Sequence, residues 1–112
     1  MFMPGKPQVW YLDLFAGKND YEAVKRAGEG GHKEINRTNL SVEQIENAMQ
    51  QNIVQKQLEL IRFRNQCPAF GESAKLTVEA DGSKLEFVWE NNNEKAILQA
   101  DFETDEFTIK TE

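Results

Sequence analysis

From Lys75 to Thr111 the chain alternates apolar and polar residues through four runs, and turn-forming residues separate them. The first run places Leu76, Val78 and Ala80 on one side. Asp81-Gly82 follows, a dipeptide that suits the left-handed backbone of a tight hairpin. The second run answers with Leu85, Phe87 and Trp89, and Glu90–Glu94 is a polar turn. The third carries Ala96, Leu98, Ala100 and Phe102. After a turn over Glu103–Glu106, the fourth carries Phe107, Ile109 and Thr111. A strict period of two bounded by turns predicts four antiparallel strands in a meander, with one apolar and one wet face. The wet face takes Lys75, Glu79, Lys84, Glu86, Lys95 and Lys110. The apolar face must be covered, and the cover has to come from upstream.

Upstream the period changes. Ser41 with Gln44 forms a capping box that opens a helix bearing Val42, Ile45 and Met49 at helical spacing. A second helix follows over residues 52–66, with a wide apolar face from Ile53, Val54, Leu58, Leu60, Ile61 and Phe63. Pro68 cannot extend it, and the residue before a proline is pushed toward extended geometry. Arg62 and Arg64 fall near the helix C-terminus, where the helix dipole favours cations. The fold expected is α+β: a helical pair packed on the four-stranded antiparallel meander, preceded by an N-terminal arm.

That arm begins with Pro7–Gly17, where Val9, Trp10, Tyr11, Leu12, Leu14 and Phe15 are almost continuously apolar. Such a run bounded by Pro and Gly suits a strand covered on both faces, interrupted here by Asp13. Asn19 and Glu22 resemble a second capping box, for a short helix over residues 20–27 that Gly28 ends. Gly28, Gly30 and Gly31 then lie close together, but their spacing matches neither common phosphate-loop pattern. A connecting loop is the reading favoured.

Composition excludes several functions. Cys67 is the only cysteine and His32 the only histidine, so no intrachain disulfide and no Cys/His zinc site is expected. A thiol enzyme needs a base beside the cysteine, and no cofactor is implied. Residues 1–70 hold 8 acidic and 9 basic residues; residues 71–112 hold 11 and 4. The acidic C-terminal third would repel nucleic acid. No apolar run approaches the ~20 residues that cross a bilayer, and the start lacks a secretory signal. A cytoplasmic protein without nucleic-acid or membrane partners is expected.

Three stretches, "GKPQVWYLDLFAGKND" from Gly5, "EINRTNLS" from Glu34 and "NIVQKQLELIRFRNQCPAFGE" from Asn52, resemble the C-terminal part of the sucrose phosphorylase family. That family lies within the α-amylase superfamily of glycoside hydrolases and glycosyltransferases. The resemblance is strongest over residues 5–71 and loose over the sheet. It implies a (β/α)8 barrel enzyme that transfers glucose from sucrose to phosphate, giving glucose 1-phosphate and fructose. Relatives within it act on sucrose 6'-phosphate or glucosylglycerate. By the resemblance, residues 1–70 are the C-terminal end of the barrel: its last strand at Pro7–Phe15, the loop above it, and its last helices. Residues 71–112 are the appended antiparallel β domain. Retaining transfer needs two carboxyl groups about 5 Å apart across the anomeric carbon. In the family these come from earlier strands, so no catalytic residue is assigned here and the chain alone is expected to be inactive.

One site residue is carried over. The family pattern Ile-Asn-Arg-His-Tyr-Tyr-Ser meets Ile35, Asn36, Arg37, Thr38, Asn39, Leu40 and Ser41. The resemblance places Arg37 at the subsite for phosphate or fructose in the intact enzyme, a task that suits a guanidinium fork. Locally, nothing separates a ligand-holding Arg37 from a solvated one. Thr38, Asn39 and Leu40 depart from the pattern, as does Asp13, where the family has glycine, so the acceptor stays open. The alternative is a free-standing carbohydrate-binding or oligomerisation module, with Trp89 or Phe87 against sugar; their register with Leu85 favours a core role. An uncovered barrel strand exposes backbone and apolar surface, so a homodimer through residues 1–35, or their repacking, is expected.

Overall fold

A computed structural model describes residues 1–112. The chain forms two compact units: residues 1–7 with 60–112, and residues 8–59. These contact units are a separate matter from the division at residue 70, which only the family resemblance implies.

In the first unit the meander forms as its pattern requires. Strands β1 (Lys75–Asp81), β2 (Lys84–Asn91), β3 (Glu94–Asp101) and β4 (Glu106–Thr111) pair antiparallel in sequence order. Gly82 (φ 56°) closes the first hairpin. Asn92 and Asn93 (φ 49° and 69°) close the second, in the left-handed region that asparagine tolerates better than most residues. Phe87, Trp89 and Ala96 are buried on one face together with Phe2 and Ala69.

The cover over that core is local and aromatic. Phe63 near the end of the long helix α4 (Asn52–Gln66), Cys67, and the 3₁₀ turn Pro68–Phe70 pack there, with Phe2 from the N-terminus. Phe2 stacks on Phe63 at 6.1 Å and meets Phe70 edge-on at 5.4 Å. Phe70 in turn meets Trp89 at 5.6 Å. The Trp89 indole N–H donates to the Phe2 carbonyl at 2.7 Å, so a buried donor finds its partner 87 residues away. Arg64 lays its guanidinium 4.1 Å from the Phe70 ring and 4.7 Å from that of Trp89. This desolvation lowers its pKa. Of the helical pair expected over the sheet, the end of α4 is what this unit contains, because the compact units divide within α4 at residues 59 and 60.

The second unit holds α1 (Tyr11–Leu14), α2 (Tyr21–Ala27), a 3₁₀ helix over Gly31–Asn36, α3 (Val42–Ala48) and residues 52–59 of α4. Leu12 and Val54 are fully buried here. The capping box of Ser41 and Gln44 forms with both of its bonds, and Pro68 follows the end of α4. At α2 the N-cap is Asp20 instead of Asn19: its carboxylate accepts from the Ala23 N–H at 2.8 Å.

The strand expected over Pro7–Phe15 is absent. Trp10 is extended (φ −71°, ψ 139°), but Tyr11–Leu14 turn into a short helix, with the Leu14 N–H on the Trp10 carbonyl at 2.9 Å. A parallel barrel strand takes its hydrogen bonds from neighbouring strands. Without them the backbone satisfies itself in a helical turn, and Val9, Trp10 and Tyr11 remain exposed.

Candidate functional site

Arg37 stands at the C-terminal end of the 3₁₀ helix Gly31–Asn36. Four hydrogen bonds tie the segment from Ile35 to Leu40 back to residues 10–20. The Trp10 indole N–H donates to the Asn36 carbonyl at 2.8 Å. The Leu40 N–H donates to the Tyr11 hydroxyl at 2.8 Å. The Thr38 hydroxyl donates to the Lys18 carbonyl at 3.1 Å. The Asp20 N–H donates to the Ile35 carbonyl at 2.7 Å. The loop that bears Arg37 is therefore laced to the end of the apolar run, with Tyr11 further braced edge-on by Phe15 at 5.8 Å.

These bonds also fix the neighbours of Arg37. A cleft of about 400 Å³ is lined by Trp10, His32, Lys33, Ile35, Asn36 and Arg37. Arg37 is half-exposed, and its Nη1 donates to the Glu34 carboxylate at 3.1 Å. An exposed pair of this kind is worth little in water, so the guanidinium exchanges it readily for a better acceptor. Arg37 and Lys33 bring two cations to a cleft with an indole wall and no carboxylate among its lining residues. That arrangement suits an anionic oxygen ligand with an adjoining flat apolar face.

Sequence reasoning named Arg37 and missed Trp10, His32 and Lys33. The two basic-type residues were visible as a cluster within six positions of Arg37. Trp10 left no such trace, because its link to Asn36 spans 26 residues. Trp89 and Phe87, named as sugar platforms in the alternative reading, lie in the core at 8% exposure each and face no solvent cleft. No helix is long and apolar enough to cross a membrane.

No protein-family profile matches the chain. A sucrose 6(F)-phosphate phosphorylase of Ilumatobacter coccineus is 53% identical over 112 residues, which is 100% of this chain and 21% of that protein. The protein of the same name from Thermoanaerobacterium thermosaccharolyticum is 41% identical over 108 residues, 96% of this chain and 22% of its own length. A sucrose phosphorylase of Bifidobacterium adolescentis is 34% identical over 97 residues. In three dimensions the chain superposes on the crystal structure of sucrose 6F-phosphate phosphorylase from Thermoanaerobacter thermosaccharolyticum with a TM-score of 0.86 at 40% identity. That match covers 98% of this chain and 22% of the other. The chain thus spans about a fifth of the length of the relatives it matches.

Proposed function

We propose that this chain, which matches the C-terminal part of sucrose phosphorylases along its whole length, works as the last part of a glucosyl-transferring enzyme and is inactive alone. The observation that carries this is the joint match: 53% identity over every residue of the chain, but over 21% of the relative. In the intact enzyme the bond between glucose and fructose breaks and a bond between the anomeric carbon and phosphate forms. Retention needs a carboxylate nucleophile and a carboxylic acid on opposite sides of that carbon. In the cleft beside Arg37 no carboxylate lines the wall, and nearby Glu34 is engaged by Arg37 itself. The chemistry therefore depends on groups from elsewhere in the enzyme.

Arg37 contributes binding. Its guanidinium addresses phosphate, or the leaving fructose, in the acceptor subsite. The exposed run Val9–Tyr11 supports the same reading, since it has the character of a strand made for neighbours on both edges. The test grafts residues 1–112 onto the preceding four-fifths of the Thermoanaerobacterium relative and measures glucose 1-phosphate release. Arg37→Ala in this chimera is expected to raise KM for the acceptor at least tenfold, roughly the worth of one charge-assisted contact. An unchanged KM removes Arg37 from the subsite while leaving the family relation untouched.

A further inference from the structure

The sheet has two unpaired edges, β1 and β4. The pairing of β4 fixes which of its backbone groups point outward. Lys95 and Glu112 exchange both backbone hydrogen bonds, at 2.7 and 3.1 Å. Along an antiparallel strand the direction of these groups alternates. Glu106, Thr108 and Lys110 therefore turn their N–H and C=O groups to β3, in register with Asp101, Gln99 and Ile97. Phe107 and Ile109 turn theirs outward, where no strand of the sheet takes them up. Such an edge is a template for another strand.

The side chains of β4 divide between the two faces of the sheet. On the apolar face, Phe107 continues the row of Leu85 and Ala100, and Ile109 that of Phe87 and Leu98. Phe107 is 60% exposed and Ile109 half-buried, so the apolar face runs out to the edge with an aromatic ring in water. On the wet face stand Glu106, Thr108 and Lys110, all exposed. Neither Glu106 nor Lys110 has an ion-pair partner within the chain. A strand laid along an edge meets both faces at once, so one partner strand answers the apolar and the charged side chains together.

We propose that β4 is a self-association edge: two copies of this chain join β4 to β4, antiparallel about a twofold axis at Thr108, and their four-stranded sheets become one. The outward residues must oppose each other, so Phe107 faces the partner's Phe107, the partner's Ile109 or the partner's Thr111. Charge selects the second register. It sets Glu106 opposite the partner's Lys110, and by symmetry Lys110 opposite the partner's Glu106. The same register places Phe107 against the partner's Ile109 on the apolar face and Thr108 against the partner's Thr108 on the wet one. Opposite charges, an aromatic with a β-branched residue, and paired threonines are all favourable across strands. With Phe107 against the partner's Thr111, Glu106 would meet the partner's Glu112; with Phe107 against the partner's Phe107, Glu106 would meet the partner's Thr108 and both charges would go unmatched. An edge lysine ordinarily deters pairing, so Lys110 admits a strand that brings a carboxylate to it and rejects others. The β1 edge lacks this selection: Lys75 meets the partner's Glu79 in one register and the partner's Asp81 in another, so charge specifies neither. The β4 edge does not involve Arg37 and does not depend on glucosyl transfer.

The test is sedimentation equilibrium of the 112-residue chain at concentrations up to about 1 mM, with amide exchange followed in parallel. A monomer–dimer equilibrium is expected, with exchange at Phe107 and Ile109 slowing as the chain is concentrated. Glu106→Lys and Lys110→Glu each bring like charges together twice, and each is expected to weaken the dimer at least about tenfold. The double variant carrying both exchanges restores opposite charges and is expected to return to within about threefold of the parent. Both positions are exposed, so this rescue also shows that the single variants did not act by unfolding. Lys75→Glu, on β1, is expected to leave the dimer unchanged. A monomer throughout, a dimer that neither single exchange weakens, or a double variant that stays monomeric overturns the proposal. So does growth beyond a dimer, which would mean that β1 of one copy meets β4 of the next.

Discussion

Phe2 is the residue whose removal tells most about how this chain holds together. It lies five residues before the first unit's N-terminal segment ends at Pro7, yet it is 5% exposed. Its ring meets Phe63 and Phe70, and its carbonyl accepts the Trp89 indole N–H. Phe2→Ala keeps the carbonyl and removes the ring. Deleting a buried Phe ring costs about 3–5 kcal/mol. A segment this close to the chain end can shift into part of the gap, which places the cost near ~3 kcal/mol. A domain of this size is stable by about 5–15 kcal/mol. Each 1 kcal/mol moves its midpoint by roughly 4 °C or more, so a fall of at least about 12 °C follows. The assay is a thermal melt followed by tryptophan emission in a Trp10→Phe background, so that Trp89 alone reports on the sheet. Met3→Ala, at an exposed neighbour, is the control and should stay within ~0.5 kcal/mol of the parent. A Phe2→Ala midpoint within about 2 °C of the parent refutes the claim that the N-terminus is part of the sheet's core.

Other outcomes follow from single features. Ser41→Ala breaks the capping box and should cost about 1 kcal/mol, read as faster amide exchange in α3; unchanged exchange contradicts it. Asp101 has its carboxyl pKa lowered, first by the Glu103 N–H and then by the Ser83 hydroxyl. A depressed pKa in the folded state gives stability that is full above the ordinary aspartate value and lost as pH falls through the folded one. Asp101→Asn should therefore flatten the loss of urea resistance below about pH 4; an unaltered acid limb counts against it. Arg37→Ala should leave the stability of the chain within ~0.5 kcal/mol of the parent, because its pair with Glu34 is solvent-exposed. A large loss there would make Arg37 a structural residue.

The sheet was legible because its signal is local. Period-two alternation and Asp81-Gly82 specify strand, face and turn without reference to anything distant. Ser41 with Gln44 is equally self-contained, since both capping bonds lie within four residues. The apolar run at Pro7–Phe15 was misread as a formed strand because strand is a property of pairs: the residues have strand character, but the one sheet these residues form is β1-β2-β3-β4, and no strand of it pairs with them. Phe2 was silent in "MFMPGKPQ", which has no period to mark a buried position. Arg64, read as a dipole-favoured cation near a helix end, in fact stacks on two rings that only folding brings to it. The site was legible in its guanidinium and illegible in its walls, because Trp10 reaches the Arg37 loop through one bond across 26 residues.

The central claim is that glucosyl transfer requires groups that these residues do not supply. The most direct measurement compares glucose 1-phosphate release by the pure 112-residue chain and by the chimera, with sucrose and with sucrose 6'-phosphate, each with inorganic phosphate. The account predicts turnover by the chimera and none above buffer by the chain alone. Release by the isolated chain, or a correctly folded but inert chimera, contradicts it.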